Sequence, residues 1–316
     1  MQIPLDLART LATVVAEGTF DAASRALAIT PSAVSQRVKA LEQQLGRVLL
    51  VRSKPVRPTE AGVAIVRLAR QLDLLEHEAL AGFGLDATAD RPISIPLAVN
   101  ADTLGTWILP PLAEVAERHP VVFDLYRDDQ DFTAELLESG TVMAAITSQA
   151  TAVAGCVVRP LGAMRYRAVA TPAFAERWFA RRALADALAV APVVYFDRRD
   201  DLQAAYARAI GADPVSAPRH YVPASNDFAI AVKLGLGWGM LPGFQSAHEL
   251  ESGALVALGG PAFDVPLHWQ QWNLRSPLLD VIADTVVAAA RRTLDPIAER
   301  ASNDRRAGRA STDEFA

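Results

Sequence analysis

The chain has 316 residues, 51% of them hydrophobic and 21% charged, with a formal net charge of −5. That is enough chain for two or three domains, and it is too apolar for general disorder. Charge is unevenly divided: residues 1–58 carry eight Lys/Arg against four Asp/Glu, a surplus of +4, which leaves −9 for the rest. A basic head on an acidic body points to a polyanionic partner at the head only. The single cysteine, Cys156 in AGCVVRP, excludes an intrachain disulfide and a thiolate metal cluster, and reads as a buried thiol. The N-terminus, MQIPLDLARTLATVV, lacks a basic start followed by an apolar core and a cleavage site. No apolar stretch reaches the roughly 20 residues needed to span a bilayer, so a cytoplasmic location is expected.

Residues 4–17 form a first helix, with Leu7, Leu11, Val14 and Val15 on its inner face. The next stretch, GTFDAASRALAITPSAVSQRVKALEQQL (18–45), reads as two helices joined by a short turn. Small residues Ala22, Ala23 and Ala26, with Leu27, let a second helix cross closely. Thr30 suits the cap of that second helix and Pro31 its first position, where a missing N–H costs nothing. Gly46 suits the left-handed stop. Val34, Val38, Leu41 and Leu45 recur every three or four residues and make a buried stripe. Ser32, Ser35, Gln36, Arg37 and Lys39 fall on or beside the opposite face, with no carboxylate before Glu42. Such a face offers donors to base edges and cations to phosphates, as a helix entering a major groove must. The alternative is an ordinary helical hairpin with a solvated polar face. The β-rich run RVLLVR (47–52) and KPVRP (54–58) weigh against it, because two short strands with basic residues between them make a wing. Arg52, Lys54 and Arg57 would then lie along phosphates.

The pieces TF-DAASRALAITPSAVSQRVKALEQQLGRVLLVRS and RPTEAG resemble the N-terminal domain of LysR-type transcriptional regulators, in matching order and spacing. The resemblance implies a winged helix-turn-helix over 1–58, with Pro31, Ser32, Ser35, Gln36 and Lys39 on the recognition helix and Arg52 on the wing contacting operator DNA. Many members have arginine where this chain has Gln36, and an amide there favours adenine over guanine.

A long helix follows over 59–82. Ile65, Leu68, Leu72, Leu75 and Ala79 are spaced 3, 4, 3, 4, the seam of a coiled coil or a stripe that packs on the neighbouring domain. A two-fold pair of such helices would present two recognition helices to a pseudo-palindrome, and the family resemblance gives the helix the same role. Residues 83–91 read as a linker. Strands at 93–100, 121–127 and 142–147 alternate with helices at 102–119 and 131–140, which predicts a parallel sheet wrapped by helices. CVVRPL and RYRAVAT read as two strands. A second α/β block has helices at 173–181, 201–210 and 226–234, and strands at 193–196, 220–223 and 237–242. Strand 265–272 and helix 277–294 close the domain. Return of the late strands to the first half predicts two lobes with a cleft between them over 92–295. The polar tail, 296–316, reads as disordered.

Open sheets bind ligands beyond the carboxyl ends of their strands. Asn100, Ala101, Asp102 and Thr103 stand at such a place, suited to a carboxylate, although a bare helix cap would look the same. Asp128, Asp129 and Asp197 also follow strands, and Asp227 starts a helix. Carboxylates gathered at one cleft repel each other unless a cation joins them; the alternative is that these acidic loops are solvated. A ligand with a carboxylate at one end and a cation at the other satisfies both features, and lysine and arginine are such molecules.

The body resembles the arginine/lysine-responsive subgroup of the same family, the ArgP/LysG type, through AVNADTLGTWILPPL, RDDQD-FT, LGAMRYRAVATPAF, FDRRDDLQ, GLGWGMLP and PLHWQQW. The resemblance implies a two-lobed periplasmic-binding-protein-like effector domain and an activator of a basic-amino-acid exporter gene. It also implies a homodimer or homotetramer, double-stranded operator DNA as partner, and RNA polymerase as a further one. Residues 100–103 would hold the effector's α-carboxylate and α-amino end, and Asp129, with Asp128 or Asp197, its side-chain cation. Thr147 and Ser148 would hydrogen-bond the same ligand, with Asp227 nearby, and Trp269 either lines the cleft or belongs to the core. No cofactor, metal or catalysis is expected. GLGWGMLP has no following Gly-Lys-Ser/Thr, the five histidines lack paired spacing, and no G-x-S-x-G occurs. The rival readings are an architectural or replication-origin DNA-binder, and an amino-acid-binding protein without specific operator recognition.

Overall fold

The computed structural model describes residues 2–82, 92–127 and 133–297. The expected linker, Asp128 and Asp129, and nearly all of the expected disordered tail lie outside the described residues. No helix among those described is long and apolar enough to cross a membrane.

The head is built from α1 (Leu5–Glu17), α2 (Phe20–Ala26) and α3 (Pro31–Leu45), the wing strands β1 (Leu50–Val51) and β2 (Arg57–Pro58), and the start of α4 (Glu60–Gly82). Leu11, Val14, Val34, Val38 and Leu41 pack with Leu49, Val66 and Ala69 in one buried cluster. Each buried leucine or valine there contributes about 1.5–3 kcal/mol on burial. The wing is antiparallel, with Leu50 opposite Pro58. The RPTEAG segment has a clear mechanical role. Thr59 accepts from the Gly62 N–H and donates to the Val48 carbonyl, so it both caps α4 and ties it to the wing. Gly62 is required because a Cβ there would lie 2.0 Å from the Leu49 carbonyl oxygen.

The body holds one seven-stranded sheet in the order β10 (Val256–Ala257), β6 (Cys156–Ala170), β11 (Phe263–Trp272), β5 (Ala144–Thr147), β3 (Ile93–Val99), β4 (Val121–Arg127), with β9 (Gly239–Pro242) also paired to β6. It is mixed rather than parallel. β3 (Ile93–Val99) runs parallel to β4 (Val121–Arg127) and β5 (Ala144–Thr147), whereas β11 (Phe263–Trp272) runs antiparallel to both β5 and β6. The two strands expected across 156–170 are one long strand, β6 (Cys156–Ala170), which carries Pro160 and turns at Gly162, φ +146. β6 and β11 run through both lobes, and their register shifts between Leu267 and His268.

The first lobe is made of β3, β4, β5 and the outer ends of β6 and β11, with α5 (Ala101–Thr106), α6 (Leu109–Arg118), α7 (Thr133–Glu138) and α13 (Pro277–Thr293). The single helix expected over 102–119 is divided into α5 and α6. Pro110 and Pro111 have no N–H and their rings oppose the preceding turn, so they fit only a fresh first turn. The second lobe takes the other ends of β6 and β11 with β9 (Gly239–Pro242) and β10 (Val256–Ala257). The parallel pair β7 (Val193–Tyr195) and β8 (Arg219–Tyr221) joins β9 through the Val194 N–H to Trp238 carbonyl bond of 2.9 Å. Around them lie α8 (Pro172–Trp178), α9 (Leu184–Leu188), α10 (Leu202–Ile210), α11 (Ser225–Lys233) and α12 (Gly243–Ser252).

The face of α4 expected to be a seam is divided. Ile65 is buried in the head cluster, whereas Leu72 and Leu75 are exposed. Leu74, one residue off that seam, is fully buried in the core of the body.

Candidate DNA interface and effector cleft

The recognition helix is fixed at both ends by its own sequence. Thr30 accepts from the Ala33 N–H at 3.1 Å, Pro31 opens the first turn, and Gly46 closes the helix at φ +64. Between them Pro31, Ser32, Ser35, Gln36 and Lys39 are exposed, as are Arg52, Lys54 and Arg57 on the wing. Arg37 is half-buried, reaching towards the Thr10 hydroxyl at 3.5 Å. The one carboxylate on this helix, Glu42, is turned away to accept the Leu49 N–H at 2.8 Å. The surface thus offers hydroxyls, an amide and cations with no unpaired anion among them.

The second site lies between the lobes, a cavity of about 390 Å³. The first lobe contributes Asn100, Ala101 and Asp102 from the end of β3 and the start of α5. The Asn100 carboxamide oxygen accepts the Thr103 N–H at 2.8 Å, so the cap expected from the sequence is formed. The Asp102 carboxylate accepts from the Tyr166 hydroxyl at 2.6 Å, which ties α5 to β6. The second lobe contributes the loop after β7, where FDRRDD curls on its own carboxylates. Asp197 Oδ1 accepts the N–H groups of Arg199 and Asp200, at 2.7 and 3.1 Å. Asp200 accepts from the N–H groups of Phe196 and Leu202. Burial raises the Asp200 pKa, against the opposing pull of those two backbone donors.

Four aspartates among the described residues line the cleft: Asp102, Asp197, Asp200 and Asp201. They face two guanidinium groups, from Arg127 and Arg199. Arg127, at the end of β4, spans the lobes: its Nη1 donates to the Pro223 carbonyl at 2.9 Å, and its guanidinium stacks on Phe196, 5.7 Å from the ring centre. Asp201 is ion-paired with Arg208 outside the lining, so Asp102, Asp197 and Asp200 set against Arg127 and Arg199 leave both signs with an acidic excess, which is complementary to a zwitterion bearing one more positive charge.

Of the residues expected at this site, Asn100, Ala101, Asp102 and Asp197 meet at the cleft. Thr103 is buried just behind it. Thr147 and Ser148 end β5, with Thr147 buried opposite His268 in the sheet, and neither is among the lining residues. Asp227 is exposed on the first turn of α11, outside the lining. Trp269 is a core residue, its indole N–H donating to the Gln271 side-chain oxygen at 2.7 Å. Sequence reasoning did not single out Asp200, Arg127 or Tyr166. The paired acids of FDRRDD carried a signal for Asp200, since Asp side chains commonly accept from N–H groups two residues on. Nothing local marks Tyr166 or Arg127, which reach the cleft only because long strands deliver them.

Residues 5–63 match the bacterial regulatory helix-turn-helix proteins of the lysR family, and residues 94–291 match the LysR substrate binding domain. The HTH-type transcriptional regulator LysG of Mycobacterium tuberculosis is 45% identical over 280 residues, covering 89% of this chain and 91% of that one. The lysine export transcriptional regulatory protein LysG of Corynebacterium glutamicum is 41% identical over 288 residues, covering 91% and 98%. A solved structure of full-length LysG from Corynebacterium glutamicum with bound effector Arg superposes with a TM-score of 0.73 at 39% identity, covering 93% of this chain and all of that one. A winged head with an open recognition face, a two-lobed body and these matches along both parts lead to one assignment: the chain belongs to the LysR family of bacterial helix-turn-helix transcriptional regulators.

Proposed function

We propose that this regulator senses a basic amino acid, arginine or lysine, in the inter-lobe cleft, and controls a gene for the export of such amino acids. The observation that carries the reading is the lining itself, where Asp102, Asp197 and Asp200 stand against two guanidinium groups at the junction of the lobes and Asp201 is already paired with Arg208. The side-chain cation is held by Asp197 and Asp200, with Asp128 and Asp129 as further candidates on the adjoining segment. Asp102 and the start of α5 face the α-amino end, and Arg127 or Arg199 meets the α-carboxylate. The reading draws support from the arginine bound to the Corynebacterium LysG and from the export role in that regulator's name.

Operator contacts come from Ser32, Ser35, Gln36 and Lys39 on α3, with Arg52, Lys54 and Arg57 on phosphates. The exposed Leu72 and Leu75 form the α4 seam of a homodimer, which pairs further into a tetramer and works beside RNA polymerase in the cytoplasm. A thermal-shift screen of the twenty amino acids tests the effector class, since a ligand that binds only the folded state raises its melting temperature. Arginine and lysine raise it and glutamate does not. Equal shifts from leucine or glutamate would remove the basic-amino-acid reading.

A further inference from the structure

The run GLGWGMLP, which is no phosphate loop, has another use: it delivers a glutamine to the cleft. β9 ends at Pro242 and α12 begins at Gly243, so Gln245 stands on the first turn of a helix that follows a strand. Asn100 and Asp102 stand at the matching junction of the other lobe, where a sheet of this kind meets its ligand. Gln245 is buried in the cleft lining, and its carboxamide is oriented by its own nitrogen. Nε2 donates to Ser225 Oγ at 2.9 Å and to Asn226 Oδ1 at 3.3 Å, which spends both N–H bonds on the first turn of α11. Oε1 is left with no donor among the described residues, and it is not sealed from solvent. Gln203, also in the lining, differs. Its Oε1 is sealed, and its Nε2 braces β7 by donating to the Val194 carbonyl at 3.1 Å.

The neighbours of Gln245 say which end of the cleft it occupies. A Cβ on Gly105 of α5 would meet Ser225 Oγ at 3.2 Å and Asn226 Oδ1 at 3.5 Å, so α5 sits directly on the pair that holds the glutamine. Tyr166, whose hydroxyl donates to Asp102 Oδ2, lies opposite Pro242 in the sheet, three residues before Gln245. Gln245 therefore belongs to the α5 end with Asp102, whereas Asp197 and Asp200 sit on the loop after β7. Asp102 Oδ1 has no hydrogen-bond partner among the described residues. The α5 end thus offers one anionic and one neutral acceptor, both uncommitted. An α-ammonium group, with three N–H donors and a positive charge, matches that pair.

We infer that Gln245 is a specificity-determining residue of the cleft: its Oε1 accepts a hydrogen bond from the effector's α-ammonium group. The inference rests on the proposed effector reading and adds how the end of the ligand away from the side-chain cation is read. A ligand with the same guanidinium and carboxylate but no α-amine leaves Gln245 Oε1 and Asp102 Oδ1 without a donor. A site built to hydrogen-bond a group rejects the analogue that lacks it, because its own polar atoms are then desolvated and unpaired. The cleft thereby selects a free α-amino acid, and a basic side chain alone does not suffice.

Calorimetry on the full chain with arginine and with 5-guanidinopentanoate, which is arginine without its α-amine, tests this; the weaker ligand is measured by displacement. The parent prefers arginine by at least about tenfold. Gln245→Leu removes the acceptor: arginine affinity falls by at least about tenfold, and 5-guanidinopentanoate stays within about threefold of its parent value. Gln245→Glu keeps an acceptor at the same place and adds charge. It binds arginine at least as tightly as the parent and widens the preference over 5-guanidinopentanoate, which a role confined to holding α11 would not do. Thermal unfolding shows that each variant is folded, and Gln245→Glu decides the matter by itself if Gln245→Leu is not. An equal fall for both ligands, unchanged arginine affinity in Gln245→Leu, or a preference that narrows in Gln245→Glu would overturn the inference. Absence of arginine and lysine binding in the parent is failure of the effector reading itself, and is seen before any variant is compared.

Discussion

Asp197→Asn isolates the charge at the cleft from its shape. Asp197 Oδ1 takes both backbone donors of its turn, at 2.7 and 3.1 Å, so the amide oxygen of asparagine preserves the loop. Its Oδ2 lies 3.6 Å from Arg199 Nε and is the oxygen available to an incoming cation. Two unit charges 4 Å apart at an effective dielectric constant near 20 attract by about 4 kcal/mol. The carboxylate is 28% exposed and shares Arg199, so solvent and competition reduce this. A charge-assisted hydrogen bond of about 1.5–3 kcal/mol is the fair expectation, which is roughly a 10- to 150-fold loss of affinity. Calorimetry with arginine, lysine and citrulline reads it. Citrulline has arginine's shape without its side-chain charge. The variant loses arginine and lysine affinity by that factor and leaves citrulline within about threefold. Unchanged arginine affinity, or an equal fall for citrulline, would refute a side-chain cation at Asp197.

Gly62→Ala forces the start of α4 away from the Leu49 carbonyl and destabilises the head by about 1–3 kcal/mol, with arginine binding by the body intact; hydrogen exchange across 5–66 measures it, and unchanged protection there would contradict the close approach. Ser35→Ala with Gln36→Ala abolishes discrimination between operator and random duplex in an anisotropy titration without altering dimerisation. Arg52→Ala weakens both duplexes alike and lowers the salt slope by about one. His268 is buried on β11 beside the register shift, its Nδ1 without a hydrogen-bond partner, and burial lowers its pKa from the ordinary value of 6.5. A histidine held neutral contributes stability that is complete above the unfolded pKa and is lost as pH falls towards the folded one. Thermal unfolding of the parent therefore falls between neutral pH and mildly acidic pH more steeply than that of His268→Gln, and parallel pH curves would refute the assignment.

The head was legible almost residue by residue because its determinants are local. Caps at Thr30 and Gly46, a stripe at Val34, Val38 and Leu41, and the proline at the first turn all act within one helix. The body was less so. Alternating strands and helices pointed to a parallel sheet, but strand direction in the second half is set by β11 returning between β5 and β6, a pairing across more than 100 residues that leaves no local trace. α9 and β10 are short and gain their form from packing, and α12 opens on Gly243 after Pro242 with no side-chain cap to announce it, so they escaped notice. At the cleft, Asn100, Asp102 and Asp197 follow strands and carry their own turn chemistry, whereas Tyr166 and Arg127 look like any strand residue. The α4 stripe illustrates a further limit. The spacing of Leu72 and Leu75 names a face, yet the neighbour that buries Leu74 and seats Arg67 is the chain's own first lobe.

Binding of the protein to its own promoter region, against a random duplex of equal length, with and without arginine at fixed salt, tests the division of work between head and cleft most directly. The promoter is preferred by at least about 100-fold, and the footprint or affinity changes when arginine is added but not when citrulline is. Equal binding to both duplexes, or a footprint indifferent to arginine and lysine alike, would contradict it.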